Sequence, residues 1–169
     1  MPEQSELIEE VKWRLENYRL DEEELNYQQE RLERLNAKML EVGAQVITDM
    51  PRKPSMEADR FTDYIVKKDQ LEQSISDLLK RHSNERDIVE SIVSHGIRQP
   101  SQRAVIRIRY LDAGSWGEVV DIMFGSKADF LDKEDTYMRR AFRLRDEAFT
   151  NMAEYIAQTK DKKILAWIM

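Results

Sequence analysis

Four arginines, Arg139, Arg140, Arg143 and Arg145, fall within seven residues of the stretch TYMRRAFRLRDEAF. A guanidinium stays charged at physiological pH and offers a rigid fork of donors. Such groups match the two acceptors of a phosphate or of a guanine edge. On a helix, Arg139 and Arg143 are i,i+4 neighbours, and Arg140 and Arg143 are i,i+3 neighbours. The same arginines also fit a plainer role, as the solvated face of a charged helix paired to Asp135, Asp146 or Glu147.

Little else in the chain proposes chemistry. It has no cysteine, which excludes disulfides, thiolate metal sites and cysteine nucleophiles. The two histidines, His82 and His95, stand alone without a metal-ligand spacing. The acidic runs at 21–24 and 132–135 lack the spacing of a calcium loop. They read as solvated helix positions and as charge at a helix N-terminus. No phosphate-cradling glycine loop and no nucleophile–base pattern occurs. The expectation is a non-enzyme without metal or cofactor.

The elements that must hold the arginines are helical. With 36% charged residues, 5 glycines and 4 prolines in 169 residues, the composition favours long helices over a sheet-rich fold. The 41% of hydrophobic residues suffices for a slender core. This length fits one domain, or a small domain with an extended helical element. From about residue 5 to 47, Val11, Tyr18, Leu25, Leu32, Met39 and Val46 recur every seven residues. This is a heptad-type stripe. Arg14, Asp21 and Gln28 occupy the second seam position, so the stripe suits packing against a helix of the same chain. TDMPRKPSM, residues 48–56, breaks the helix with two prolines. A second helix runs from about residue 58 to 82 and continues through Ile92 and Val93, which closes a long hairpin over residues 1–95. Gly96 and Pro100 end it, and Ser101 is the expected N-cap of the next helix. Three more helices are expected at about 101–112, 115–124 and 134–158. Gly114 supplies the reversal between the first two by taking φ > 0, and Ser115 caps the second. Trp116 is expected as a core anchor.

Helix, tight turn, helix, then basic helix is the order of a helix-turn-helix module. SQRAVIRIRYLDAGSWGEVVDIMFG followed by RRAFRLRDEAF resembles the region-four domain of bacterial sigma factors, which reads the promoter −35 element. With the segment ITDMPR, the chain over roughly residues 45–157 is similar to phage-encoded regulators of the ArpU and RinA type, which activate late genes. The resemblance implies base reading at Met138, Arg139 and Arg143. It implies backbone contacts at Tyr137 and Arg140. Arg103 and Arg107 are further candidate phosphate contacts. SKADFLDKED intervenes before the third helix where sigma factors have a short turn. It carries Asp129, Asp132, Glu134 and Asp135.

The fold expected is therefore all-α. A coiled-coil-like hairpin over residues 1–95 would serve oligomerisation or partner binding. A DNA-binding module would occupy 101–157, and 158–169 would form a tail of unassigned role. The resemblance implies a sequence-specific activator of phage late genes, acting on double-stranded promoter DNA in the cytoplasm of a bacterial host. An alternative keeps the same fold as a helical adaptor that contacts RNA polymerase or another regulator without reading DNA. The net charge of −6 favours that alternative. Residues 1–50 carry −7 and residues 101–169 carry +1, so the hairpin is expected to face away from DNA and toward protein. No apolar run approaches the roughly 20 residues of a membrane span, and the acidic MPEQSELIEE lacks a signal-peptide layout.

Overall fold

A computed structural model describes residues 3–47 and 56–169, and every regular element among them is a helix. Most of the expected connector, residues 48–55, lies outside the described residues, as does the side chain of Val46. Helix α1 spans Gln4–Ile47 and α2 spans Met56–Gly96. Helix α3, Pro100–Ile106, runs on into a π-helical turn, Arg107–Leu111. Then come α4, Trp116–Phe124, α5, Glu134–Gln158, and α6, Lys162–Ile168. No described helix is long and apolar enough to cross a membrane.

Two compact units emerge, and their boundary is not the expected one near residue 95. One comprises Met1–Glu22 and His82–Met169, the other Glu23–Arg81. The reason lies in the packing of the first unit. Leu7, Val11, Leu15 and Tyr18 of α1 join Val89, Ile92 and Val93 of α2 in one apolar core. Ile106, Tyr110 and Leu111 enter it from the end of α3 and its π turn, and Phe149, Met152 and Ile156 from α5. The expected heptad stripe is corrected at its second seam position. Leu15, and not the seam-position Arg14, is fully buried, so the face steps 11, 15, 18. Both i,i+3 and i,i+4 steps keep side chains on one face. Gly96 allows α2 to close on α5, because a Cβ there would lie 2.8 Å from the Cβ of Tyr155.

The C-terminal segment is part of this core. Asp161 caps α6 by accepting from the Lys163 N–H at 2.8 Å. Ile164 and Trp167 are buried, and the Trp167 indole N–H donates to Glu85 Oε1 at 2.8 Å. Polar groups are also built in. His82 is 6% exposed, stacks on Tyr18 at 4.0 Å between ring centroids, and pairs through Nε2 with Glu22. His95 instead donates from Nδ1 to the Ser91 carbonyl at 2.8 Å.

The second unit pairs residues 23–47 of α1 with residues 56–81 of α2 in antiparallel fashion. Leu25 and Ile75 are its buried apolar side chains among the described residues, while Tyr27, Leu40, Ile65, Val66 and Leu79 are exposed. Two helices alone cannot enclose a full core, because each has only one neighbour to pack against.

The packing of the first unit makes two expectations testable. Replacing Trp167 with alanine should cost about 3–5 kcal/mol, the range for truncating a buried aromatic residue. Chemical denaturation compared with the parent protein measures this, and a loss under about 1 kcal/mol would show that α6 is not part of the core. Burial pushes the Tyr18 phenol up to about 12, against a smaller opposing pull from Arg86. It pushes Tyr110 up to about 12 as well, with Arg145 opposing. A raised phenol pKa means that the fold favours the protonated form, so stability is full below about pH 10 and declines as pH rises towards 12. Ultraviolet titration should show Tyr18 and Tyr110 ionising together with unfolding, and the Tyr18→Phe/Tyr110→Phe protein should unfold at higher pH.

Candidate nucleic-acid interface

The module begins one residue before the expected cap. Pro100 is the first residue of α3 and Gln99 its N-cap, without a side-chain cap bond. Proline suits that place because its fixed φ is helical and a first-turn N–H has no helical partner anyway. Ser101 therefore lies inside the helix. The chain then widens into the π turn, where the Asp112 N–H reaches back five residues to the Arg107 carbonyl at 2.9 Å. Arg86 holds this end: it donates to the Leu111 carbonyl and to Asp112 Oδ1, each at 3.0 Å.

The reversal into α4 is made differently from expectation. Ala113, and not Gly114, takes the left-handed conformation, with φ 55°. Gly114 is needed for space. Its N–H donates to the Ile108 carbonyl at 2.8 Å, and a Cβ would sit 2.8 Å from that same oxygen. Ser115 caps α4 as expected, in a complete capping box. Its Oγ accepts from the Glu118 N–H at 3.1 Å, and Glu118 Oε2 accepts from the Ser115 N–H at 2.6 Å. Two of the orphan donors at the helix start are thereby satisfied.

Helix α4 holds α5 through a second core of Val105, Val119, Val120, Phe124, Ala141 and Leu144. Trp116 packs on it as expected of an anchor, with its ring edge-to-face against Phe142 at 4.8 Å. Residues 126–133, between α4 and α5, are tied down. Phe130 packs on the second core, and Asp129 Oδ1 accepts from the Tyr137 hydroxyl at 2.6 Å. The Tyr137 hydroxyl and Lys133 hold the Asp129 carboxyl below its ordinary pKa, and Asp129 in turn pushes the Tyr137 phenol up. Glu134 and Asp135 open α5 with charge that suits the positive end of its dipole.

The seven expected site residues divide into four sets. Arg139 and Arg143 are exposed on one face of α5, and among the described residues neither takes part in a hydrogen bond or ion pair. Arg140 is exposed, with its guanidinium 5.3 Å from the centre of the Phe124 ring. Tyr137 and Met138 are half-buried against the second core, and the Tyr137 hydroxyl is engaged by Asp129. Arg103 and Arg107 are not brought into this group. Arg103 donates to the Ile97 carbonyl at 3.1 Å. Arg107 pairs with Glu90 at 3.1 Å and donates to Ser94 Oγ at 3.1 Å, which ties α3 to α2. Arg145, the fourth of the cluster, pairs with Asp146 at 2.9 Å and lies over the rings of Trp116 and Phe142.

A polar bridge between α3 and α5 is absent from the sequence-based expectations. Gln102 is 3% exposed, donates to Glu147 Oε2 at 2.9 Å and accepts from Asn151 Nδ2 at 2.7 Å. Its signal is present in the spacing, since Gln102 shares the face of Val105 and Ile106. Among the described residues no group of three or more His, Asp or Glu side chains is placed to hold a metal ion. The arrangement can present two fully available guanidinium forks about 6 Å apart along one helix, four residues at 1.5 Å each. Such forks bind flat, two-acceptor groups. Comparison with protein-family models, with curated proteins and with solved structures finds no match for the chain.

The capping box is the testable hinge of this arrangement. Replacing Ser115 with alanine should cost about 0.5–2 kcal/mol. Hydrogen exchange at the first-turn amides of α4 should quicken most, and unchanged exchange there would show that the cap does not hold the helix.

Proposed function

We propose that the chain is a sequence-specific DNA-binding regulator of transcription that reads duplex DNA with the N-terminal half of α5. The single observation that carries this reading is the availability of Arg139 and Arg143. They stand free on one face of a helix that α3 and α4 hold through the second core. Base contacts from these two residues would supply specificity, about 1–3 kcal/mol for each good bidentate pair. Arg140 would add a phosphate contact and salt-dependent affinity. Arg103 and Arg107 contribute by positioning α3, and contact phosphate only if they release their present partners.

The resemblance to phage late-gene regulators of the ArpU and RinA type supports a narrower reading, an activator of late promoters in the cytoplasm of a bacterial host. Activation would proceed by recruiting RNA polymerase through the sigma-like module or the hairpin. The hairpin also offers a surface for self-association, which would let two modules read paired half-sites. A second reading, the adaptor that binds a protein without reading DNA, draws on the net charge of −6 and on the internal partners of Arg103 and Arg107.

The test is binding to a fragment library of the genome that encodes the protein, at two salt concentrations, beside an Arg139→Ala/Arg143→Ala protein. We expect one defined fragment to be retained at high salt by the parent protein and released by the variant. Weak binding of both proteins to all fragments, erased by salt, would replace the DNA reader with the adaptor.

A further inference from the structure

The second unit carries a groove whose chemistry is opposite to that of the chain as a whole. It lies between α1 and α2, encloses about 480 Å³, and has Arg31, Arg34, Lys38 and Lys67 on its walls. Residues 1–50 carry −7, yet no carboxylate lines this groove. Among the described residues, Arg34, Lys38 and Lys67 have no ion pair or hydrogen bond, and all three are exposed. Arg31 donates to Gln28 Oε1 at 2.9 Å, and Gln28 donates to Glu24 at 2.6 Å, so Arg31 is oriented without being neutralised by contact.

Four like charges around one cleft repel each other, and a bound anion relieves that repulsion. The other lining groups narrow the kind of anion. Tyr64, Gln70 and Ser74 add neutral hydrogen-bond donors, with Leu35 and Leu71 as the apolar part. Arginine, lysine, glutamine, serine and tyrosine side chains are the types that hold nucleic-acid phosphates and sugars. Arg31, Arg34 and Lys38 run along one wall over about 10 Å of helix, which suits a linear polyanion better than a single ion. An acidic protein helix would need a broad apolar floor for its own apolar face, and two leucines provide little of one.

We infer that this groove is a second, sequence-independent contact for the sugar-phosphate backbone of duplex DNA. The inference rests on the DNA reading of the protein but not on its assignment of Arg139 and Arg143. It revises the expectation that the acidic hairpin avoids DNA, because the charge on this side is local and positive.

The test uses the full chain and a random-sequence DNA duplex, with affinity followed against salt. Four glutamine substitutions, Arg31→Gln, Arg34→Gln, Lys38→Gln and Lys67→Gln, are compared with the parent protein together and, for Arg34 and Lys67, singly. The slope of log affinity against log salt should fall by about 0.9 for each phosphate no longer neutralised, so by about 3–4 in the fourfold variant. The substituted positions are exposed, and an unchanged melting temperature verifies that the variants are folded. Preference for the specific fragment should survive. An unchanged slope overturns the inference, whether or not the groove captures poly-glutamate instead. The Arg139→Ala/Arg143→Ala protein, measured in parallel, separates the two claims. If it keeps its preference while the groove variants show the reduced slope, the reading helix is misassigned and the groove stands. If its preference disappears while the groove variants keep their slope, the groove inference fails alone.

Discussion

The first unit depends on α5 being one unbroken helix with two successive obligations. Ala141 and Leu144 close the second core, and Ala148, Phe149, Met152, Ala153 and Ile156 continue the same stripe into the first. These positions step by three, four or one, so a single helical face serves both cores. Arg139 and Arg143 are among the exposed residues left on the opposite face of the N-terminal half. Their direction is thus fixed by Ala141 and Leu144 within a turn of them, and the first core further along carries the same helix. A kink between Leu144 and Ala148 would uncouple the second core, and the arginines it holds, from the first.

Arginine is asked to do three different things within this one unit. Arg86 closes the end of the π turn by donating to a carbonyl and a carboxylate. Arg109 and Arg145 lie against the Trp116 ring, at 5.2 and 5.3 Å from its centre. A guanidinium tolerates these places because it is weakly hydrated and can stack on an aromatic face. Arg139 and Arg143 do neither. The cluster that looks uniform in sequence is therefore divided by its surroundings into parts that hold the fold and parts left for a ligand.

Much of the architecture is legible in the sequence. The helical class, the long hairpin and the short helices can be read from glycine and proline placement and from apolar spacing. Ser115 and Glu118 announce the start of α4, because a capping box is a local pattern. What escapes such a reading is non-local. Whether Arg103 faces solvent or the Ile97 carbonyl depends on where α2 ends relative to α3. The burial of Gln102 depends on Glu147 and Asn151, more than forty residues away, arriving beside it. The tail looks like a mixture of basic and apolar residues, and only the space beside Glu85 and Arg14 gives Trp167 a place. Gly114 is a turn residue for a reason other than the expected one. Space and not backbone handedness requires it, and Ala113 bears the unusual φ.

The first core draws on Leu7 and on Trp167 alike. Contacts so distant in sequence carry a large loop-closure cost and slow the search for the native state. On a ribosome, α1 emerges long before its partners, and its buried face has nothing to pack on until Val89, Ile92 and Val93 of α2 follow it out, with α5 and α6 later still. During that interval Leu7, Val11, Leu15 and Tyr18 form an unprotected apolar stripe. Chaperone dependence and the rate of translation then govern the yield of folded protein as much as its final stability does.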